Sequence, residues 1–318
     1  METQVKQPKE VVTVELMSKF VELMTEAKVN MFGSELKGKM ATLEATVAAR
    51  LNLLPQVHEI RFVDMPKVEM EGVVHKKFDR VLKKTMKGKN VYLYGPAGSG
   101  KNVIAEQVAK ALNLTFYSAS TLLQKYELLG YGDAQGRYIP TSFYKAFVKG
   151  GVFFLDEFDG CSPEVAIALN GALANKYIDF GVDGFVYAHK DFHCIAAGNT
   201  TGRGANELYN GRFQLDAATL NRFVTEKIDY DEAIEISLAR GDRELVEFIH
   251  EVRRICNVKG IQLVCGYRNI SDTIDCLECG DSLKEALESA LFKGLDEEDK
   301  LMIKNSLSDK NSKYWEAI

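Results

Sequence analysis

The stretch YLYGPAGSGKN, residues 92–102, decides the fold because it presents three local signals in a fixed order. Its apolar start predicts a short buried strand, its glycines predict a tight loop, and the residues from Lys101 onward have helical periodicity. In that context, backbone N–H groups at the start of the helix can bind phosphate oxygens. The stretch therefore predicts a phosphate-binding loop made of Gly95, Pro96, Ala97, Gly98, Ser99, Gly100, Lys101 and Asn102.

Asn102 departs from the usual pattern of such a loop. This position usually holds Ser or Thr, whose hydroxyl binds Mg²⁺. Mg²⁺ prefers hard oxygen ligands, and the amide oxygen of Asn is one, so direct and water-mediated coordination are both open. We expect Asn102 to be a tolerated variant of an active site, because a decayed site would also have lost other required groups.

A second motif, GGVFFLDEFD at residues 150–159, places carboxylates after an apolar run. The run predicts a buried strand, and groups at the carboxyl end of a parallel strand face the ligand crevice. Asp156 is the second predicted Mg²⁺ ligand, and Glu157 is the predicted general base that polarises the attacking water. A third apolar run, FHCIAAGNT, ends in Asn199, which either positions that water or begins an ordinary turn.

Five short apolar runs alternate with helical patterns, which predicts an α/β fold with a five-stranded parallel sheet and helices on both faces. After Asp231 the pattern is helical, which predicts a small all-helical lid. Near the N-terminus, VELMSKFVELMTEAKVNMF has the apolar spacing of a helix that serves either as a partner-binding arm or as a cap on the main domain. We therefore predict a helical extension, an α/β domain and a lid at residues 1–69, 70–230 and 231–318.

Composition and charge disfavour several classes of protein. The formal net charge is −5 over 318 residues, which argues against nucleic-acid binding across the whole surface. No apolar run approaches the length of a membrane span, and the polar N-terminus lacks a signal pattern, so we expect a cytoplasmic protein. The CxxC pair Cys276 and Cys279 lies in a segment of helical periodicity, which favours helix cysteines over a zinc site.

The order of the phosphate loop, FFLDE, AAGNT and LNRF resembles that of the AAA+ ATPases. Within them the chain is similar to the dynein-related and MoxR-type branch, in which a GR…LD…L.RF stretch follows the sensor Asn; the corresponding stretch here is YNGRFQLDAATLNRF. The chain is also similar to ATPases encoded by bacteriophages. The resemblance covers residues 70–310 and implies ATP and Mg²⁺ as the bound cofactors.

The resemblance implies a ring, usually a hexamer, with ATP sites between subunits. Arg222 of LNRF matches the arginine finger that reaches the γ-phosphate of the neighbouring subunit, and Arg212 of NGRF is a second candidate. An ion pair within its own subunit is the alternative for either residue. Arg268 of CGYRNISD matches the second sensor, which contacts phosphate from the lid.

Two further stretches, LLGYGDAQGRYIP and DFGVDGFVYAHKDF, match insertions of this branch and predict hairpins. In such rings these loops line the central pore, where Tyr131, Arg137, Tyr138 and Phe185 could grip a threaded polymer. Ordinary surface hairpins are the alternative.

Three functions are compatible with these features. The first is Mg²⁺-dependent ATP hydrolysis by a ring that remodels a partner macromolecule, a protein rather than DNA. The second is a DNA-directed motor or loader, which would need a basic pore lining. The third is a scaffold that binds ATP and assembles without turnover.

Overall fold

The computed structural model describes residues 4–5, 58–60, 68–70, 73–181, 184–310 and 312–318. The strands within these ranges are β1 (Gln4–Val5), β2 (His58–Ile60), β3 (Val68–Met70), β4 (Asn90–Tyr94), β5 (Phe116–Ser120), β6 (Tyr131–Gly132), β7 (Tyr138–Ile139), β8 (Gly151–Asp156), β9 (Tyr177–Asp179), β10 (Phe185–Tyr187), β11 (Phe192–Gly198) and β12 (Phe223–Lys227). The helices are α1 (Phe78–Met86), α2 (Lys101–Ala111), α3 (Lys125–Leu129), α4 (Ser142–Lys149), α5 (Pro163–Asn175), α6 (Ala217–Leu220), α7 (Glu232–Leu238), α8 (Arg243–Lys259), α9 (Tyr267–Cys279), α10 (Leu283–Ala290), α11 (Glu297–Ser306) and α12 (Lys313–Ala317).

Five strands form one parallel sheet in the order β12-β4-β11-β8-β5, which confirms the predicted five-stranded parallel sheet. The register sets Tyr94 beside Gly198 and Leu155 beside Ala196. Because these strands run in one direction, the chain leaves β4, β8 and β11 at the same edge of the sheet. The phosphate loop, the carboxylates after β8 and Asn199 therefore meet there.

Both faces of the sheet are buried under helices, as β8 shows most clearly. Its apolar residues are fully buried and alternate between two cores. Phe153 and Leu155 pack into the core that includes α4 and α5, whereas Val152 and Phe154 pack into the core that includes α1 and α2. This double burial explains the continuous apolar sequence of the strand.

The lid consists of α7 to α12 around its own core, which confirms the predicted helical domain. Leu245, Ile249, Val252 and Ile255 recur along α8 at helical spacing, and all four are buried in this core. Within the described residues, every helix is too short or too polar to cross a bilayer.

The N-terminal part differs from the predicted helical extension where it is described. Strands β1, β2 and β3 form an antiparallel sheet. The sequence around β2 and β3 alternates apolar and polar residues, a period that suits a strand rather than a helix. The predicted helical stretch VELMSKFVELMTEAKVNMF lies outside the described residues.

Both predicted hairpins form. Strands β6 and β7 pair in antiparallel fashion between α3 and α4, and β9 and β10 pair between α5 and β11. Each hairpin is separate from the central parallel sheet.

Candidate active site

The phosphate loop turns between β4 and α2 with no room for side chains at two of its glycines. A Cβ on Gly95 would lie 1.9 Å from the carbonyl oxygen of Ile228. Gly100 has a φ of +82°, which glycine adopts readily, and a Cβ there would meet the Tyr267 ring at 3.2 Å. The loop can therefore pass closely between the sheet and the lid, and the N–H groups of the first turn of α2 remain available to an anion.

Lys101 is the first residue of α2 and is 7% exposed. Its Nζ donates to the backbone oxygens of Gly95 at 2.9 Å and Pro96 at 2.8 Å. It also donates to Asn199 Oδ1 at 3.0 Å, so the amine bridges the phosphate loop and the end of β11. Burial lowers the pKa of Lys101 to about 8, against the opposing effect of the Asp156 carboxylate. The amine therefore keeps its positive charge at neutral pH.

Asp156 and Glu157 end β8 and have different environments. Burial raises the pKa of Asp156, whose Oδ1 accepts a hydrogen bond from the Glu157 N–H at 2.9 Å. Hydrogen bonds from Arg212 lower the pKa of Glu157, which stays ionised although it is partly buried. Thr121 Oγ1 also donates to Glu157 Oε2 at 2.9 Å. Glu157 has a φ of +50°, an uncommon conformation for a residue with a side chain, which turns it away from the strand direction.

Asp159 organises the end of β11, a role that the sequence did not reveal. Its side chain is fully buried, and its Oδ2 accepts hydrogen bonds from the Asn199 N–H at 3.0 Å and the Thr200 N–H at 2.8 Å. The Thr200 hydroxyl donates to the same oxygen at 2.9 Å. Asp159 thereby fixes the backbone at Asn199, whose side chain reaches Lys101.

A cavity of about 580 Å³ joins the predicted groups. It brings together the phosphate loop from Ala97 to Asn102, Asp156, Glu157, Asn199 and the lid residue Arg268. The cavity is also lined by residues that the sequence did not single out, Val73, His75, Val103, Gln107, Ile234 and Leu238. A pocket that combines apolar side chains with cationic and N–H groups suits a nucleotide, which has both a base and phosphates to bind.

Oxygen ligands for a metal line the same cavity. Asp156 and Asn102, the two predicted Mg²⁺ ligands, both face it, and carboxylate and amide oxygens suit a hard cation. The hydroxyl oxygen of Ser99 is buried beside them and has no hydrogen-bond partner within the described residues, which leaves it for a bound group. The donor set therefore fits Mg²⁺ bound together with a phosphate.

The lid docks directly on the phosphate loop. The Tyr267 N–H donates to the carbonyl of Gly98 at 3.0 Å, and the hydroxyl of Tyr230, which precedes the lid, donates to the carbonyl of Ala97 at 2.8 Å. The N–H of Ala97 donates to Tyr209 Oη at 2.9 Å. Hydrogen bonds thus connect the lid, the segment before it and the loop after β11 to the backbone of the phosphate loop.

The two candidate arginine fingers lie in different places. Arg222 is exposed, is absent from the cavity lining of its own chain, and donates from Nε to Asn170 Oδ1 at 3.0 Å. Arg212 is 13% exposed and forms an ion pair with Glu157 of the same chain, 3.2 Å between Nη2 and Oε1. Of the two, only Arg222 presents its side chain at the surface.

The predicted pore residues divide between exposed and engaged side chains. Tyr131 and Phe185 are 50% and 68% exposed. Tyr138 is partly buried and donates from its hydroxyl to the carbonyl of Leu129, and Arg137 pairs with Asp133 within the β6–β7 hairpin. The hairpins therefore present aromatic surface more than cationic surface.

The chain is similar to several solved structures. RuvB, the Holliday junction branch migration motor of Thermotoga maritima, is 18% identical over 72% of this chain and 74% of its own, with a TM-score of 0.43. NtrX of Brucella abortus is 15% identical over 86% of this chain and 57% of its own, with a TM-score of 0.42. No curated protein matches the sequence.

The sequence profile of the AAA domain, dynein-related subfamily, matches residues 90–223. This range begins at β4 and ends at the first residue of β12, so it contains the phosphate loop, Asp156, Glu157, Asn199 and Arg222. The predicted ATPase activity agrees with this match. Over residues 90–223 the chain is therefore similar to the AAA ATPase domain of the dynein-related subfamily, and this match supports an ATP-hydrolysing enzyme.

Proposed function

We propose that this protein is a Mg²⁺-dependent ATPase that works as a ring, with ATP sites between subunits, and that it remodels a protein client. The observation that carries the proposal is the meeting of Lys101, Asp156, Glu157 and Asn199 at one cavity beside the phosphate loop. These are the groups that phosphoryl transfer to water requires: a cation for the phosphates, a metal ligand, a base and a group that orients the water.

Each residue has one task in this proposal. Lys101 and the N–H groups of α2 bind the phosphates, and Arg268 reaches them from the lid. Asp156 and Asn102 hold Mg²⁺, which supplies charge neutralisation when it is bound. Glu157 accepts the proton of the attacking water while Asn199 orients that water, so that the γ-phosphate leaves as inorganic phosphate and ADP remains.

The ring is supported by the position of Arg222. Stabilising the transition state requires a further cation at the γ-phosphate, and a neighbouring subunit can supply it in trans. Arg222 is exposed and outside the cavity of its own chain, whereas Arg212 is engaged with Glu157. Arg222 is therefore the side chain available to the next subunit.

The client is proposed to be protein because of the hairpins. Tyr177, Phe185 and Tyr187 of β9 and β10 contact one another, with ring centroids 5.3 Å apart for the first pair. Phe185 and Tyr187 are 68% and 72% exposed. Exposed clustered aromatic side chains suit apolar side chains of an unfolded chain. A DNA client would call for a cationic lining, and Arg137 is already paired within its hairpin.

Subunit mixing tests the shared site. Glu157→Gln and Arg222→Gln subunits should each be nearly inactive alone, because each lacks one half of every site. In a one-to-one mixture, random pairing completes about a quarter of the sites, since Arg222 of one subunit meets Glu157 of the other. Phosphate release by the mixture that only equals the mean of the two variants would contradict action in trans.

The client class is tested by stimulation. A permanently unfolded model protein, such as reduced and carboxymethylated lactalbumin, should raise phosphate release by the wild-type protein. Single-stranded and double-stranded DNA serve as the parallel additions. Stimulation by DNA and not by the unfolded protein would overturn the proposed protein client and favour a DNA-directed motor.

A further inference from the structure

Arg212 contacts the Glu157 carboxylate of its own subunit. Its side chain is 13% exposed, and its guanidinium contacts both oxygens of Glu157, with Nη2 3.2 Å from Oε1 and Nη1 3.3 Å from Oε2. A planar guanidinium that meets both oxygens of a carboxylate restricts its rotation more than a single contact does. The arrangement therefore fixes the direction in which the Glu157 carboxylate points.

A second carboxylate, that of Asp159, also lies close to the Arg212 guanidinium. Its Oδ2 is saturated by three donors from Asn199 and Thr200, and its Oδ1 forms no hydrogen bond within the described residues. Nη1 of Arg212 lies 3.6 Å from that Oδ1. A fully buried carboxylate needs a nearby positive charge, and Arg212 supplies it.

The backbone around Arg212 is held on both sides. The Phe213 N–H donates to the carbonyl of Asp159 at 2.7 Å, and the backbone of Gln214 pairs with that of Arg203 in an antiparallel bridge that does not involve their side chains. On the other side, Tyr209 Oη accepts from the Ala97 N–H of the phosphate loop. The position of the Arg212 guanidinium is therefore set by a backbone segment that is itself held by hydrogen bonds.

We propose that Arg212 is a positioning residue that holds the Glu157 carboxylate toward the cavity within the same subunit, with Asp159 as its fixed anchor. The proposal rests on the role of Glu157 as the base in the proposed function. It also assigns the two arginines of this region to different tasks, because Arg222 acts on the neighbour and Arg212 acts on its own chain.

Several charged groups lie close to the Glu157 carboxylate. Arg212 and Lys101 lower the pKa of Glu157, with the hydrogen bonds from Arg212 as the largest cause, while partial burial raises it. Asp156 is the adjoining carboxylate on the same strand end, and Asp159 lies behind Arg212. Removal of the Arg212 guanidinium should therefore leave the Glu157 carboxylate without the two contacts that fix its direction.

The split between kcat and KM is the first test, with Arg212→Gln and Arg212→Lys compared with the wild type. Arg212→Gln should lower kcat by about 10²-fold through misplacement of the base, whereas the KM for ATP should change little because Arg212 is not among the residues that line the cavity. Arg212→Lys retains a positive charge and should recover part of the lost kcat. Arg203→Gln removes the same charge from the same loop and should leave kcat unchanged.

Subunit mixing separates this role from action in trans. Arg212→Gln mixed with Glu157→Gln should give no recovery of phosphate release, because both residues serve the same subunit's site. A wild-type kcat in Arg212→Gln, or recovery in this mixture, would overturn the proposal. A wild-type protein without turnover, or no recovery in the Arg222→Gln mixture, would instead refute the proposed function itself.

Discussion

The nucleotide cavity and the β9–β10 hairpin differ in the exposure of their side chains and in the contacts that these side chains make. At and beside the cavity, Lys101 is 7% exposed and Asp159 is fully buried, and Lys101, Glu157 and Asp159 contact oppositely charged or polar partners. In the hairpin, Phe185 and Tyr187 are 68% and 72% exposed. The ring of each contacts the ring of Tyr177. Under the proposed function, the first region lacks only a cation supplied in trans, and the second is the surface offered to the client.

Because of this difference, substitutions in the two regions should affect turnover in different ways. Buried charges are held in a low dielectric, so that the loss of one changes the chemistry directly. Exposed aromatic side chains contribute little to the fold and can act only when a partner covers them. Substitutions in the cavity should therefore alter turnover with or without a client, and those in the hairpin should alter only the client-dependent part.

The largest effect is expected for Arg222→Gln. Loss of a trans-acting arginine should lower kcat by about 10³- to 10⁵-fold, because the charge that develops on the γ-phosphate loses its stabilising cation. Steady-state phosphate release at saturating Mg²⁺–ATP measures this change, with Arg203→Gln as the matched control. Near-wild-type turnover would place Arg222 in an ordinary surface ion pair.

The pH dependence of ATP binding should follow Lys101. Its pKa of about 8 in the free protein lies below the usual value for Lys because the amine is buried. Above that pH the amine is neutral in the free protein, and binding the anionic phosphates must take up a proton. Affinity should therefore fall by up to about tenfold per pH unit as the pH rises beyond 8. A flat profile in nucleotide titrations between pH 7 and 9 would show that Lys101 is not the residue that meets the phosphates.

A smaller and conditional effect is expected in the hairpin. Phe185→Ala with Tyr187→Ala should abolish stimulation by the unfolded model protein and leave unstimulated phosphate release within about twofold of the wild type. Val258→Ala, at an equally exposed apolar position on α8, is the control and should keep full stimulation. Loss of unstimulated turnover in the hairpin variant would contradict the claim that the hairpin acts only when a client is present.

The smallest effect is expected at Asn102. A hydroxyl on a shorter side chain can serve the same metal, so Asn102→Ser should keep kcat within about threefold of the wild type or raise it. The Mg²⁺ concentration that gives half-maximal turnover is the informative quantity. A large loss of kcat would mean that Asn102 has a role other than holding the metal.

The sheet and the outline of the site could be predicted because their signals are local. The apolar runs before Gly95 and Asp156 mark buried strands, and parallel strands that end at one edge bring their terminal residues together. The lid was readable from helical periodicity in the same way. The sheet and the lid could be predicted because the local sequence patterns agree with the fold that the whole chain adopts.

Arg212, Asp159 and Tyr209 could not be assigned because their partners are distant in sequence. Arg212 and Glu157 are 55 positions apart, and Tyr209 and Ala97 are 112 apart. Such contacts depend on the path of the loop after β11, which no local periodicity encodes. The strands β1 to β3 were missed for a different reason, since a long amphipathic stretch nearby dominated the pattern.

Phosphate release by the wild-type protein and by Glu157→Gln tests the central claim most directly. With Mg²⁺–ATP, the wild type should turn over, and the variant should lose about 10²- to 10⁴-fold in kcat while it binds ATP as tightly. That result is predicted because Glu157 lines the cavity beside Asp156 and Asn199 without holding the phosphates. Equal turnover by the two proteins, or no turnover by the wild type, would contradict an active site built around Glu157.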